Sequence, residues 1–284
     1  MTIPLSAILL PFACIEEEAM PSLLSDADQT VHFVASAPDP LHTRATDNNP
    51  WQVDDCIGVY MIQTGKILQT TTIVDGKKNI PYRVYEVKAG GEALFEPLHP
   101  ASGISFPAHD AVNFVAYYPY EASVGDDFLL KAGKQDQSES PAPPLLYSNE
   151  KIPYTKASGR VALRFDHRMS KVTLDISRAD SNAPPLHKLH VKLKNLKTEA
   201  TLHLPTGFLP DGMGNGLVNA HILHASVNRA GAEVLLLPVE DTNRIEISLL
   251  VNDSVQYHIP LIRNDKAAFL AGHHHALEVT LYGR

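Results

Sequence analysis

Hydrophobic residues alternate with polar or small ones through residues 161–176, and this alternation constrains the fold more than any other feature of the chain. A period of two places alternate side chains on one face of a β-sheet. The segment therefore predicts two strands joined at a kink. The apolar positions form two triplets, Val161, Leu163 and Phe165, then Val172, Leu174 and Ile176.

Short alternating segments of the same kind recur from Trp51 to the end of the sequence, and a β-like piece also occurs at residues 30–34. Turn-forming residues separate most of them, and residues 135–144 read as a long polar loop. No long stretch sustains a period of 3.6 residues, although residues 217–227 are compatible with a short helix. This spacing predicts an all-β protein built from β-sandwiches.

The composition is typical of a globular protein and argues against a nucleic-acid-binding protein and against a membrane-spanning helix. The chain has 284 residues, of which 44% are hydrophobic and 20% charged, and it is long enough for two domains. Its formal net charge of −8 and the lack of a basic stripe argue against nucleic acid as a partner. The sequence contains no run of 18 apolar residues, so we predict no membrane-spanning helix.

The N-terminal residues resemble a bacterial lipoprotein signal. Residues 3–13 are mostly apolar, Cys14 follows them, and residues 16–18 are acidic. The resemblance implies an acylated Cys14, although the segment lacks a basic start and contains Pro4 and Pro11. The alternative is an apolar N-terminus with an incidental cysteine. Because Cys56 is the only other cysteine, neither a disulfide framework nor a cysteine-rich zinc site is predicted.

A motif within residues 161–176 resembles a signature of the fimbrillin family, which comprises surface pilus subunits of certain anaerobic Gram-negative bacteria. The motif is a hydrophobic residue followed by Phe165, His167, Ser170, Lys171 and a second hydrophobic residue. The resemblance runs from Arg44 to near the C-terminus. Other segments that carry it are residues 43–46, Trp51, residues 55–61, 104–107, 112–120 and 145–147, Thr206 with Gly207, and Leu237 with Pro238.

The resemblance implies two tandem transthyretin-like Greek-key β-sandwich domains in a protein exported as a lipoprotein to the outer membrane. It divides the chain into a signal and linker (1–27), an N-terminal domain (28–155) and a C-terminal domain (156–284). In polymerising relatives a protease cuts after an arginine, and the matching residue here is Arg44. Loss of the first strand then opens a groove that a strand from a neighbouring subunit fills. The alternative for Arg44 is an exposed loop arginine without a role.

The sequence predicts no catalytic set, cofactor or metal site. Fourteen histidines include His187 with His190, His221 with His224, and the run 273–275, but a third ligand or a carboxylate companion is missing. His167 and Ser170 lack the glycine-flanked turn of a serine nucleophile. We read His167 as a structural residue that hydrogen-bonds near the strand kink.

The sequence therefore favours a non-enzymatic fimbrial subunit or surface adhesin that assembles with other subunits by strand addition. The last alternating residues, Leu277, Val279 and Leu281, are predicted to belong to the core of their own sandwich. Such a subunit would lack a free donor strand and occupy the tip or anchor position. The alternative is a monomeric surface lipoprotein that binds a glycan or host protein without polymerising.

Overall fold

The computed structural model describes residues 30–36, 51–261 and 268–283. Strands dominate, and among these residues the only helices are four single 3₁₀ turns, so the all-β prediction is confirmed. The strands are β1 (His32–Ser36), β2 (Cys56–Gln63), β3 (Ile80–Val87), β4 (Ala93–Pro97), β5 (Val112–Tyr118), β6 (Leu129–Ala132), β7 (Leu146–Ser148), β8 (Arg160–Arg164), β9 (Asp166–His167), β10 (Ser170–Arg178), β11 (Leu189–Leu196), β12 (Ala200–His203), β13 (Met213–Asn219), β14 (His221–Ala225), β15 (Arg229–Leu236), β16 (Glu246–Val251), β17 (Val255–Pro260) and β18 (His274–Leu281).

The first sheet contains eight strands in the order β8-β1-β4-β3-β2-β5-β7-β9. All neighbours are antiparallel except β1 and β8, which are parallel. Strands β8 and β9 lie at opposite edges of this sheet, yet only Phe165 separates them in sequence. The sheet must therefore curl until its two edges meet, and the predicted kink within residues 161–176 is the point where they join.

Aromatic side chains fill the interior of the curled sheet. The Trp51 ring makes edge contacts with Phe95, Tyr118 and Phe165 at centroid distances of 5.2, 5.3 and 5.3 Å. Edge-to-face pairs of this kind add stabilisation beyond the burial of apolar area. The Phe165 side chain is thus held in this core, while the backbone around it joins the two edges.

The second half of the chain forms two four-stranded sheets, with orders β14-β15-β10-β18 and β13-β11-β16-β17. Their inner faces enclose one hydrophobic core. Val172, Leu174 and Ile176 of β10 lie in this core, as their alternation predicts. Strand β18 is parallel to β10 and completes the first of these sheets at its edge.

A third core lies between the two halves. Strand β6 comes from the first half of the chain and pairs with β12 from the second, forming a separate two-stranded ribbon. Its inward side chains pack with residues of both halves, including Tyr147 and Leu235. Gly207 closes the adjoining turn with φ +68°, where a Cβ atom would collide with the Tyr147 ring.

Strand pairing extends the first sheet beyond residue 155, because both β8 and β9 belong to it. The division of the chain into domains 28–155 and 156–284 stays a prediction. The short helix considered for residues 217–227 is wrong. These residues belong mainly to β13 and β14, whose backbones pair with β11 and β15, and this long-range pairing overrides the local pattern.

Candidate functional site

Strand β1 occupies an internal position in the first sheet although it is only five residues long. It pairs with β4 on one side and with β8 on the other, where His32 to Ser36 match Arg160 to Arg164. The Val31 N–H donates to the Ile104 carbonyl at 2.7 Å, and the Phe165 N–H donates to the Ser36 carbonyl at 3.2 Å. Both edges and both ends of β1 are therefore tied to the sheet.

The inward side chains of β1 are Phe33 and Ala35, Val31 just before the strand points the same way, and each of the three is at most 1% exposed. Phe33 makes edge-to-face contacts with Tyr82 at 4.7 Å and with Phe114 at 5.1 Å between ring centroids. The Phe33 side chain therefore fills the space between the Tyr82 and Phe114 rings, which we call the Phe33 pocket.

Tyr82 forms one wall of the Phe33 pocket, and its hydroxyl group has a hydrogen-bond partner. Its hydroxyl oxygen accepts a hydrogen bond from the Ile104 N–H at 2.9 Å. Burial raises the pKa of the Tyr82 phenol above its ordinary value, so the ring stays neutral. This wall of the pocket is therefore held by a hydrogen bond and uncharged.

Removal of β1 would leave a gap between β4 and β8 in the first sheet. Without β1, the facing backbone groups of β4 and β8 lose their partners, and the Phe33 pocket opens to water. Burying a side chain such as Phe33 stabilises a fold by roughly 1.5–3 kcal/mol, which an incoming strand would regain. We call the position of β1 between β4 and β8 the β1 slot. Slots of this kind accept an added strand through backbone hydrogen bonds and alternate side-chain pockets.

The two modification sites predicted from the sequence, Cys14 and Arg44, lie outside the described residues. The sequence signalled β1 only as a short β-like piece. The pocket residues Tyr82 and Phe114 lie among the alternating segments that follow Trp51, but nothing local in the sequence links them to Phe33, because the three residues belong to different strands.

The last strand is also bound within its own sheet. Strand β18 pairs with β10 over eight residues, from Lys171 with His274 to Arg178 with Leu281. Leu277, Val279 and Leu281 contribute to the second core, as their alternation predicts. Strand β18 is therefore engaged in this structure and is not displayed as a free extension.

The histidines do not form a metal centre in the part of the chain that the structure describes, where no group of three or more metal-ligating side chains occurs. His221 and His224 lie on β14 rather than on a helix. His167 is buried in β9, and the Ser170 hydroxyl lies 3.5 Å from the His273 carbonyl oxygen. Within residues 30–36, 51–261 and 268–283, no helix has the length and hydrophobicity of a membrane span.

Comparison with known proteins gives a family and a fold. The family model described as fimbrillin-like matches residues 43–283. A candidate cell adhesion protein from Bacteroides uniformis superposes with a TM-score of 0.69 at 23% identity, covering 90% of this chain and 95% of that one. A second, from Bacteroides ovatus, gives 0.65 at 18% identity, covering 88% and 91%. No curated protein matches the sequence. At these identities the two structures establish a shared fold.

Proposed function

The chain belongs to the fimbrillin-like family, and from this we propose that it is a non-enzymatic fimbrial subunit or adhesin of the cell surface that joins other subunits by strand addition. One observation carries the proposal. Strand β1 fills an internal position of a sheet, and it lies in the segment that precedes Arg44.

Cleavage after Arg44 would separate β1 from the rest of the fold. Residues 32–36 precede the cut, whereas the core on the other side resumes at Trp51. After such a cut β1 would be held only by hydrogen bonds and apolar contacts. A strand from a neighbouring subunit could then replace it, with an apolar side chain in the Phe33 pocket.

A disulfide that locks β1 in place tests this mechanism. Val34 and Leu94 face each other in the antiparallel pair of β1 and β4, where Cβ atoms are typically about 4.5–5.5 Å apart. In a Cys56→Ser background, the Val34→Cys/Leu94→Cys protein should not polymerise after Arg-specific proteolysis when oxidised, and should polymerise when reduced. The matched control places the disulfide at Leu250 and Gln256, which oppose each other in β16 and β17. Polymers from the oxidised Val34/Leu94 protein would refute strand replacement at the β1 slot.

The processing step has its own test. Arg44→Ala should leave the precursor uncut and prevent polymer formation, while Arg44→Lys reports whether the protease requires arginine. Mature assembled protein should begin at Ala45 by N-terminal sequencing. Normal polymers from the Arg44→Ala protein would show that another position is used.

Export as a lipoprotein is part of the proposal. The apolar residues before Cys14 and the acidic residues after it support acylation at that cysteine. Two or more acyl chains would hold the protein stably at the outer membrane, whereas one would hold it marginally. Mass spectrometry of membrane-extracted protein should find lipid on Cys14, and an unmodified Cys14 there would remove this part of the proposal.

The engaged β18 favours a terminal position in the fibre, at the tip or the anchor. Withdrawing it would expose Leu277, Val279 and Leu281 at a cost of roughly 1.5–3 kcal/mol each. Immunogold labelling should therefore mark fibre ends, and dense labelling along the shaft would contradict a terminal position.

The engaged β18 also favours a second candidate function, a monomeric surface lipoprotein that binds a glycan or host protein. Absence of denaturant-resistant ladders after proteolysis would support that candidate.

A further inference from the structure

The ribbon formed by β6 and β12 has one buried face and one open face. Leu130 and Leu202 are buried in the third core, while Leu129, the residue before Leu130 in β6, is 42% exposed. Leu129 lies opposite His203, and His203 forms a bridge with Phe208, which is 63% exposed. The outer surface of the ribbon thus presents two large apolar side chains on either side of a histidine.

A groove of about 450 Å³ borders this surface. The groove lies within the size range of small-molecule sites, roughly 300–1,000 Å³. Its wall includes the half-buried Tyr120, two residues after β5, whose backbone N–H donates to the Cys56 carbonyl at 2.8 Å. Tyr120 and Leu129 supply the apolar part of the groove wall. The lining also includes Glu121, Asp127, Lys131 and Thr201.

The polar groups of the groove are oriented and available. Glu121 Oε1 accepts from the Ser123 N–H at 3.0 Å, and Asp127 Oδ1 accepts from the Leu129 N–H at 3.4 Å. The hydrogen bonds from Ser123 lower the pKa of Glu121, so its carboxylate stays ionised at neutral pH. One oxygen of each carboxylate accepts from the local backbone, and both residues are exposed, so the carboxylates can also accept from a ligand. Lys131 adds an exposed ammonium donor.

The geometry points to a binding site for a neutral saccharide in the groove lined by Tyr120, Glu121, Asp127 and Lys131. Sugar rings carry an apolar face, which packs on an aromatic ring, and hydroxyl groups, which donate to carboxylates and accept from ammonium groups. Two carboxylates against one ammonium leave the groove with a net negative charge, which disfavours sialylated or sulfated sugars. This inference is independent of the β1 slot, since none of these residues belongs to β1, β4 or β8.

Binding of the full chain to an array of neutral oligosaccharides, with sialylated and sulfated counterparts, tests the inference. We expect the protein to bind neutral oligosaccharides and not to bind their sialylated or sulfated counterparts. With the best neutral oligosaccharide as the titrant in calorimetry, Tyr120→Ala and Asp127→Asn should each weaken affinity at least about tenfold, and Tyr120→Phe should retain most of it. The matched control is Glu278→Gln, in a different groove beside β18.

Trp51 fluorescence confirms that each variant is folded before its affinity is measured. No binding to any neutral oligosaccharide, equal binding to acidic ones, or full affinity in both Tyr120→Ala and Asp127→Asn would overturn the inference. These variants should polymerise like the parent after proteolysis. A failed saccharide test therefore does not contradict strand addition. Failed polymerisation of the parent protein likewise does not contradict saccharide binding in the groove.

Discussion

At the scale of single residues, Phe33 is the side chain on which the β1 slot depends most. It is buried against Tyr82 and Phe114. Phe33→Ala should lower the free energy of unfolding by about 3–5 kcal/mol, because it leaves a cavity between the Tyr82 and Phe114 rings. The measurement is urea unfolding followed by Trp51 fluorescence. The control is His32→Ala, an exposed neighbour in the same strand, which should change stability by less than about 0.5 kcal/mol. Equal effects of the two substitutions would contradict this role.

Lys171 and Glu233 form an ion pair that is almost fully buried between β10 and β15. Lys171 Nζ lies 2.9 Å from Glu233 Oε2, and the two side chains are 11% and 5% exposed. Removing one partner leaves the other charge buried without its counter-ion. Lys171→Met alone should therefore lower the free energy of unfolding by about 3–5 kcal/mol. The double variant Lys171→Met/Glu233→Leu should recover most of that loss. Thermal unfolding of the two variants measures the difference, and an equally unstable double variant would contradict the argument.

His274 makes stability depend on pH at the start of β18. Burial lowers the pKa of His274 below its ordinary 6.5, and the nearby Lys171 charge lowers it further, against the opposing effect of Glu233. The unfolded chain therefore binds this proton more readily than the folded one, so stability is lost as the pH falls below about 6.5. His274→Gln should make the melting temperature fall less between pH 7.5 and 5. An unchanged pH dependence would show that His274 does not contribute.

At the scale of elements, strands could be predicted but their partners could not. The triplet ending at Ile176 predicted β10, and the alternation that recurs after Trp51 predicted further strands, of which β2 is the first. Period-two alternation says which face of a strand is buried, not which strand lies beside it. The parallel pairing of β1 with β8 and the β6–β12 ribbon are long-range contacts of this kind. The β1 slot could therefore not be predicted from the sequence, although the alternation indicated each of its strands.

Strand β18 should be required for the stability of the second core. Leu281 is 2% exposed in that core, so Leu281→Ala should cost about 2–5 kcal/mol. Its neighbour Thr280 points to the exposed face, and Thr280→Ala should have little effect. Guanidinium unfolding followed by circular dichroism compares the two. If Leu281→Ala is as stable as the parent, β18 contributes little to the core and could leave it at low cost.

At the scale of the whole molecule, the third core joins the two halves into one unit. Gln137 strengthens the junction, since its fully buried amide donates to the Leu235 carbonyl at 2.7 Å and accepts from the Leu235 N–H at 3.0 Å. The side chain thereby pairs with β15 as a neighbouring strand would. Residues 135–144, which the sequence predicts only as a long polar loop, thus connect both halves. Polar residues inside a loop give no sequence signal that one of them will be buried.

This junction predicts that the two halves unfold together. Trp51 is the only tryptophan and reports the first core, whereas far-UV circular dichroism reports strands in both halves. In the parent protein the two signals should share one urea midpoint, which is the signature of a single cooperative transition. Leu202→Asp buries a charge in the third core and should separate the midpoints, because each half keeps its own core while the contact between them is lost. The control Thr201→Asp, on the outer face of the same strand, should keep them coincident. Two separate transitions in the parent would mean that the third core does not couple the halves.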